Sequence, residues 1–120
     1  MKCKYRLFGG SGIAPEEKIS KELVKVIETA NTRLLCNLAY SDRRTVSISL
    51  ENIKAIVGTN KTRRVVVEAL HKADKILFDA YGSSWLMFNG ASFDKENLTL
   101  VYKPNAASVL KAIMLTEDYE

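Results

Sequence analysis

An α+β fold built around two short consecutive helices is what this sequence predicts, and three observations predict it. The first is the stretch 49–70. Leu50, Ile53, Ile56 and Val57 recur at helical spacing, Gly58 interrupts them, and Val65 or Val66, Ala69, Leu70 and Ala73 resume the period. The second is a change of rhythm downstream. Residues 75–80, 85–88 and 98–102 are short runs of branched and aromatic residues. The turn sequences Tyr81-Gly82-Ser83-Ser84 and Asn89-Gly90 separate them, and Pro104 ends the last. The third is a long amphipathic segment upstream, where Ile19, Leu23, Val26, Ile27, Ala30, Leu34 and Leu38 stand three and four apart.

Taken in order, the chain opens with alternation. Met1, Cys3, Tyr5 and Leu7 share one face and Lys2, Lys4 and Arg6 the other, which predicts a half-buried strand, either an edge strand or an arm docking on a partner subunit. Phe8-Gly9-Gly10-Ser11-Gly12 reads as a linker. It lacks the Lys and Ser/Thr of a phosphate loop and fits no dinucleotide fingerprint. Pro15, Glu16 and Glu17 resemble the first turn of a helix reaching towards Tyr40, with Asn31-Thr32 as a point where it can break. After the polar turn 41–44, residues 45–48 alternate as a short strand. Ser49 is placed to cap the helix 50–57, and Gly58 stands where a helix end needs a left-handed residue. Thr59 or Asn60 is then expected to cap the next helix. Asn105 opens a last helix bearing Ala106, Val109, Leu110, Ile113 and Met114, and the tail 117–120 is acidic.

Composition bounds the function classes. With 120 residues, 47% of them hydrophobic and 27% charged, the chain is expected to be one soluble domain. Residues 1–12 are its strand and linker, 15–104 its core and 105–120 its last helix and tail. No apolar run is long enough to span a bilayer, and no secretory leader is evident. Cys3 and Cys36 have no CxxC spacing and no histidine cluster, so a metal site is not expected. A disulfide between them depends on their distance, and a reduced, cytoplasmic chain is the simpler reading. His71 stands alone, without a nucleophile or acid arranged around it. Trp85, on a short apolar strand, is expected in the core, although it could stack on a base. No enzyme activity, cofactor or small-molecule ligand is expected.

Charge points to a partner. Between Asp42 and Lys75 stand eight basic and four acidic residues, and the remaining basic and acidic residues balance. The whole net charge of +4 therefore falls on the helix pair and its flanks, the footprint expected of a phosphate-binding surface. Helix, strand, helix, turn, helix and hairpin is also the element order of a winged helix-turn-helix, here with an N-terminal strand or arm and a C-terminal helix.

Residues 31–93 resemble the winged-helix domain of bacterial plasmid replication initiators and related plasmid or phage regulators. Val46-Ser47-Ile48-Ser49-Leu50-Glu51-Asn52-Ile53 is similar to the entry into the first helix of the motif. Gly58-Thr59-Asn60-Lys61-Thr62 is similar to its turn. Ala69-Leu70-His71-Lys72-Ala73-Asp74-Lys75-Ile76-Leu77 is similar to the exit into the wing, and Trp85-Leu86-Met87-Phe88-Asn89 to its closing strand. The resemblance implies a sequence-specific double-stranded DNA binder acting in transcription or replication control. Its wing would be the hairpin 76–88, which carries no Lys or Arg between Asp79 and Gly90.

The DNA contacts are therefore assigned to Asn60, Lys61, Thr62, Arg63 and Arg64 in the first turns of the second helix. Arg can read guanine and Asn adenine, and a helix N-terminus offers N–H groups to phosphate. Arg43, Arg44 and Lys54 are expected to support on phosphates. A homodimer is expected, formed through the N-terminal strand, the long helix or the last helix. The competing reading is a winged-helix module that binds another protein and no nucleic acid.

Overall fold

The computed structural model describes residues 5–7 and 19–117, with side chains described as far as Leu115. The expected glycine-rich linker, the Pro15 helix start, Cys3 and the end of the acidic tail lie outside these residues. The described chain is α+β. Helix α1 (Lys21–Leu38) precedes strand β2 (Thr45–Ser49), then helices α2 (Leu50–Val57) and α3 (Thr59–Lys72) follow in immediate succession. A 3-10 turn (Ala73–Lys75) leads into strands β3 (Ile76–Ala80), β4 (Ser83–Leu86), β5 (Phe88–Asp94) and β6 (Asn97–Tyr102). Helix α4 (Pro104–Glu117) ends the described chain, and β1 (Tyr5–Leu7) begins it.

Local chemistry explains the helix boundaries. Ser20, in extended conformation, accepts the Leu23 N–H and so starts α1 at Lys21. Ser49 does the same for α2 by accepting from the Asn52 N–H, as its sequence position predicts. Gly58 has φ +91° and ψ 153°, so φ is positive as expected, but ψ is extended and not left-handed helical. This one residue both ends α2 and starts α3. The expected caps Thr59 and Asn60 are already inside α3, which has no side-chain cap.

The strands form two antiparallel sheets of three. In the first, β3 pairs with β1 on one side and β4 on the other. In the second, β6 lies between β2 and β5, with Val46 opposite Leu100 and Ile48 opposite Leu98. Met87 joins the sheets, donating its N–H to the Ile76 carbonyl and accepting from the Lys103 N–H, both at 3.0 Å. The hairpin expected as the wing is therefore β3–β4, and it pairs with β1 instead of β2. The strand that leads into α2 is paired by a second hairpin, β5–β6. Asn89-Gly90, expected as a turn, lies inside β5. A bulge between Phe88 and Gly90 absorbs the extra residue there, a place where glycine costs little. The actual turn is at Lys95 and Glu96.

One cluster of buried apolar residues unites these parts. It takes Leu23, Val26, Ile27, Ala30 and Leu34 from α1, Ile53 from α2 and Val65, Val66 and Ala69 from α3. Ile76, Phe78, Phe88, Leu98, Leu100 and Tyr102 come from the sheets, and Ala106, Ala107 and Leu110 from α4. Asn31 does not break α1. Its side chain is buried within the helix and is used as a tie. It donates to the Tyr5 hydroxyl at 3.0 Å and accepts from the Tyr102 hydroxyl at 2.6 Å, linking β1, α1 and β6. Burial, with a lesser contribution from Tyr5, pushes the Tyr102 phenol well above its ordinary range. Trp85 is half-buried against the core and donates its indole N–H to the Ala80 carbonyl at 3.1 Å.

Candidate nucleic-acid interface

Helix α3 divides its residues between three environments. Val65, Val66 and Ala69 enter the core, as their period predicts. Glu68 turns towards the start of α1, where its carboxylate accepts the Ser20 N–H at 3.0 Å, the Ser20 hydroxyl, and the Lys72 ammonium at 3.0 Å. Burial raises the Glu68 pKa, but these donors outweigh it and hold the group below the usual carboxylate value. His71 is exposed and takes no part in this cluster among the described residues. Asn60, Lys61, Arg63, Arg64 and Val67 face solvent.

The expected contact residues do not all share one surface. Thr62 is a correction: it is buried, and its hydroxyl donates to the Gly58 carbonyl at 2.9 Å. That bond helps hold the α2–α3 junction, and what little of Thr62 is exposed borders the groove that Lys54 and Arg63 share. Lys61 and Arg64 point towards α1, where both approach the Glu22 carboxylate, at 3.4 and 3.6 Å. Both remain at least half exposed, so phosphate can compete for them. Arg63 has no ion-pair partner among the described residues. Lys54, on α2, lies 3.8 Å from Glu51 and lines the same groove as Arg63.

Arg43 and Arg44, expected to support on phosphates, stand apart from α3. They precede β2, whereas α2 follows its other end, roughly 20 Å along the strand. Arg44 donates to the Tyr102 carbonyl at 2.9 Å and borders a groove with Pro104 and Lys111, at the start of α4. Arg43 borders another groove beside Arg33 and Cys36. The basic segment is contiguous in sequence but is distributed over separate surfaces. Lys61 and Arg64 share the Glu22 carboxylate of α1, while Lys54 and Arg63 stand together at a groove.

An apolar surface beside them was not legible in the sequence. Val67 is 46% exposed, Leu70 40% and Phe93 38%. With Leu50 and Val66 they line a groove of about 460 Å³ between the α2–α3 pair and β5, bordered by Lys54 and Arg63. Helical periodicity placed Leu70 inward, but α3 presents it to this groove. Phe93 alternates along β5 with Ser92 and Asp94, a weak signal in a run otherwise polar. No His/Cys/Asp/Glu group that could hold a metal is found among the described residues, and no described helix is long and apolar enough to cross a membrane. No protein-family model matches the chain, and a search of curated proteins finds no match.

Proposed function

We propose that this chain is a winged-helix protein that binds double-stranded DNA in a sequence-specific way, as a homodimer, in transcription or in plasmid or phage replication control. The observation that carries the reading is the α2–Gly58–α3 junction with Lys61, Arg63 and Arg64 exposed on the first turns of α3, next to a strand that pairs with a β-hairpin. In this reading α3 enters the major groove, and Asn60 and Arg63 meet base edges. Lys61 and Arg64 exchange Glu22 for phosphate. The wing is β5–β6, and its tip carries Lys95 between Asp94 and Glu96. Two acids around one cation make that tip a poor phosphate contact, so α3 supplies most of the binding.

The test is a titration of random duplex DNA at several salt concentrations, comparing the natural chain with Arg63→Ala/Arg64→Ala. Binding should fall steeply with salt, and the double substitution should weaken it and reduce the salt slope by about one, the share of the phosphate-bound Arg64. A folded double variant with unchanged affinity and slope refutes the assignment. The apolar groove favours a second reading, a winged-helix module that binds protein alone. Absence of duplex binding at low salt would select it.

A further inference from the structure

The groove between α3 and β5 has a wall and a border of different chemistry. Its wall is apolar, formed by Leu50, Val66, Val67, Leu70 and Phe93, while Lys54 and Arg63 stand at its edge. Contiguous exposed apolar surface of this kind marks a contact site more often than a solvated face. An occupant that fits must bring one or two large apolar side chains flanked by negative charge. Residues 115–120 form such a segment, with three acids and no basic residue. Leu115 and Tyr119 are four residues apart, with Glu117, Asp118 and Glu120 between and after them. Leu115 is 53% exposed at the end of α4. The preceding Met114 lies against Glu28, Thr32 and Leu35 of α1, none of which borders the groove.

We propose that the groove of one copy receives residues 115–120 of a second copy, and that two copies exchange these segments reciprocally. Leu115 and Tyr119 cover Val67, Leu70 and Phe93, and the acids meet Lys54 and, when no DNA is bound, Arg63. Reciprocal exchange uses both grooves and closes at the dimer, because a twofold axis satisfies both copies at once. Each groove contact is small beside a standard interface, so the dimer dissociates on dilution. The proposal rests on the groove and the segment and does not require DNA binding. Its test reads oligomeric state alone, so its failure is separable from failure of the DNA reading.

The experiment is sedimentation equilibrium of the full chain over a wide concentration range. The mass should rise from one chain to two. Leu70→Glu, at an exposed position, should weaken association about tenfold or more, with its circular dichroism unchanged. Leu115→Ser should weaken it similarly from the other side of the contact. Arg63→Glu should weaken it severalfold, and adding Glu117→Arg with Asp118→Lys in the same chain should restore it. A synthetic peptide of residues 108–120, added to the natural chain, should return the dimer to monomer. A monomer at every concentration overturns the proposal, including the case where the segment binds its own chain or the groove serves a different protein. A dimer indifferent to both Leu70→Glu and Leu115→Ser also overturns it, because another face then holds the copies together.

Discussion

Replacing Gly58 by alanine tests the junction on which the functional reading depends. A β-carbon built at Gly58 meets no heavy atom within 4 Å, so steric clash with the rest of the fold contributes nothing. The cost is confined to the backbone. With φ +91° and ψ 153°, Gly58 occupies a region that residues with a side chain rarely adopt, at about 1–3 kcal/mol. Alanine also restricts the unfolded chain, which offsets about 0.4–1 kcal/mol. The net loss should be about 1–2 kcal/mol, measured by urea denaturation as a lower midpoint with an unchanged slope. Gly90→Ala is the control. It too has open space around its β-carbon, and its φ is not in the positive range, so its stability should stay within about 0.5 kcal/mol of the natural chain. Gly58→Asn adds a sharper distinction. Asparagine tolerates the left-handed helical region but not an extended ψ with positive φ, so it should be no better than alanine. Natural stability in Gly58→Ala would refute the positive φ. Natural stability in Gly58→Asn alone would refute the extended ψ and restore an ordinary left-handed helix end.

Three other outcomes are expected. Asn31→Ala removes the shared partner of Tyr5 and Tyr102 and leaves the buried Tyr102 hydroxyl unpaired, costing about 1–3 kcal/mol in denaturant. In a cycle with Tyr102→Phe, a loss equal to the sum of the single losses would refute their coupling. Glu68 has a folded pKa below its unfolded value of 4.5, so its stabilisation is present above pH 4.5 and is lost as pH falls through the folded value. Glu68→Gln should therefore flatten the acid limb of the stability–pH curve, and an unchanged limb would show that Ser20 and Lys72 do not hold the carboxylate. Glu22→Gln releases Lys61 and Arg64 from their shared acid, so duplex affinity should rise at low salt and the gain should shrink as salt is added. Equal or weaker binding would show that these two cations do not face DNA.

Much of this fold was legible because it follows from short-range rules. Ser49 followed by Leu50, Ile53 and Ile56 specifies a capped helix within one stretch of chain. Alternation in residues 45–48 specified β2 in the same local way. Asn31-Thr32 misled, since Asn favours helix caps by its intrinsic chemistry, yet in α1 the same amide is satisfied by two tyrosines from distant strands. Asn89-Gly90 misled likewise. It is a strong hairpin signal, but β5 continues through it because Phe88 and Ala91 pair with Tyr102 and Leu100 of β6. Pairings between residues so distant in the chain leave no local trace.

By itself the sequence determined the α2–Gly58–α3 succession, the strand before it, the core stripe of α1 and the concentration of positive charge between residues 42 and 75. Each depends on spacing, capping or composition, which neighbouring residues fix among themselves. Only the tertiary structure decided which cations stand together, because that depends on where β2 carries the chain between Arg44 and Leu50. It also decided that Thr62 is buried against Gly58, that Glu22 of a separate helix draws Lys61 and Arg64, and that Leu70 meets Phe93 in an apolar groove. These are contacts between surfaces brought together by folding. A helical period says which residues share a face but not what that face meets.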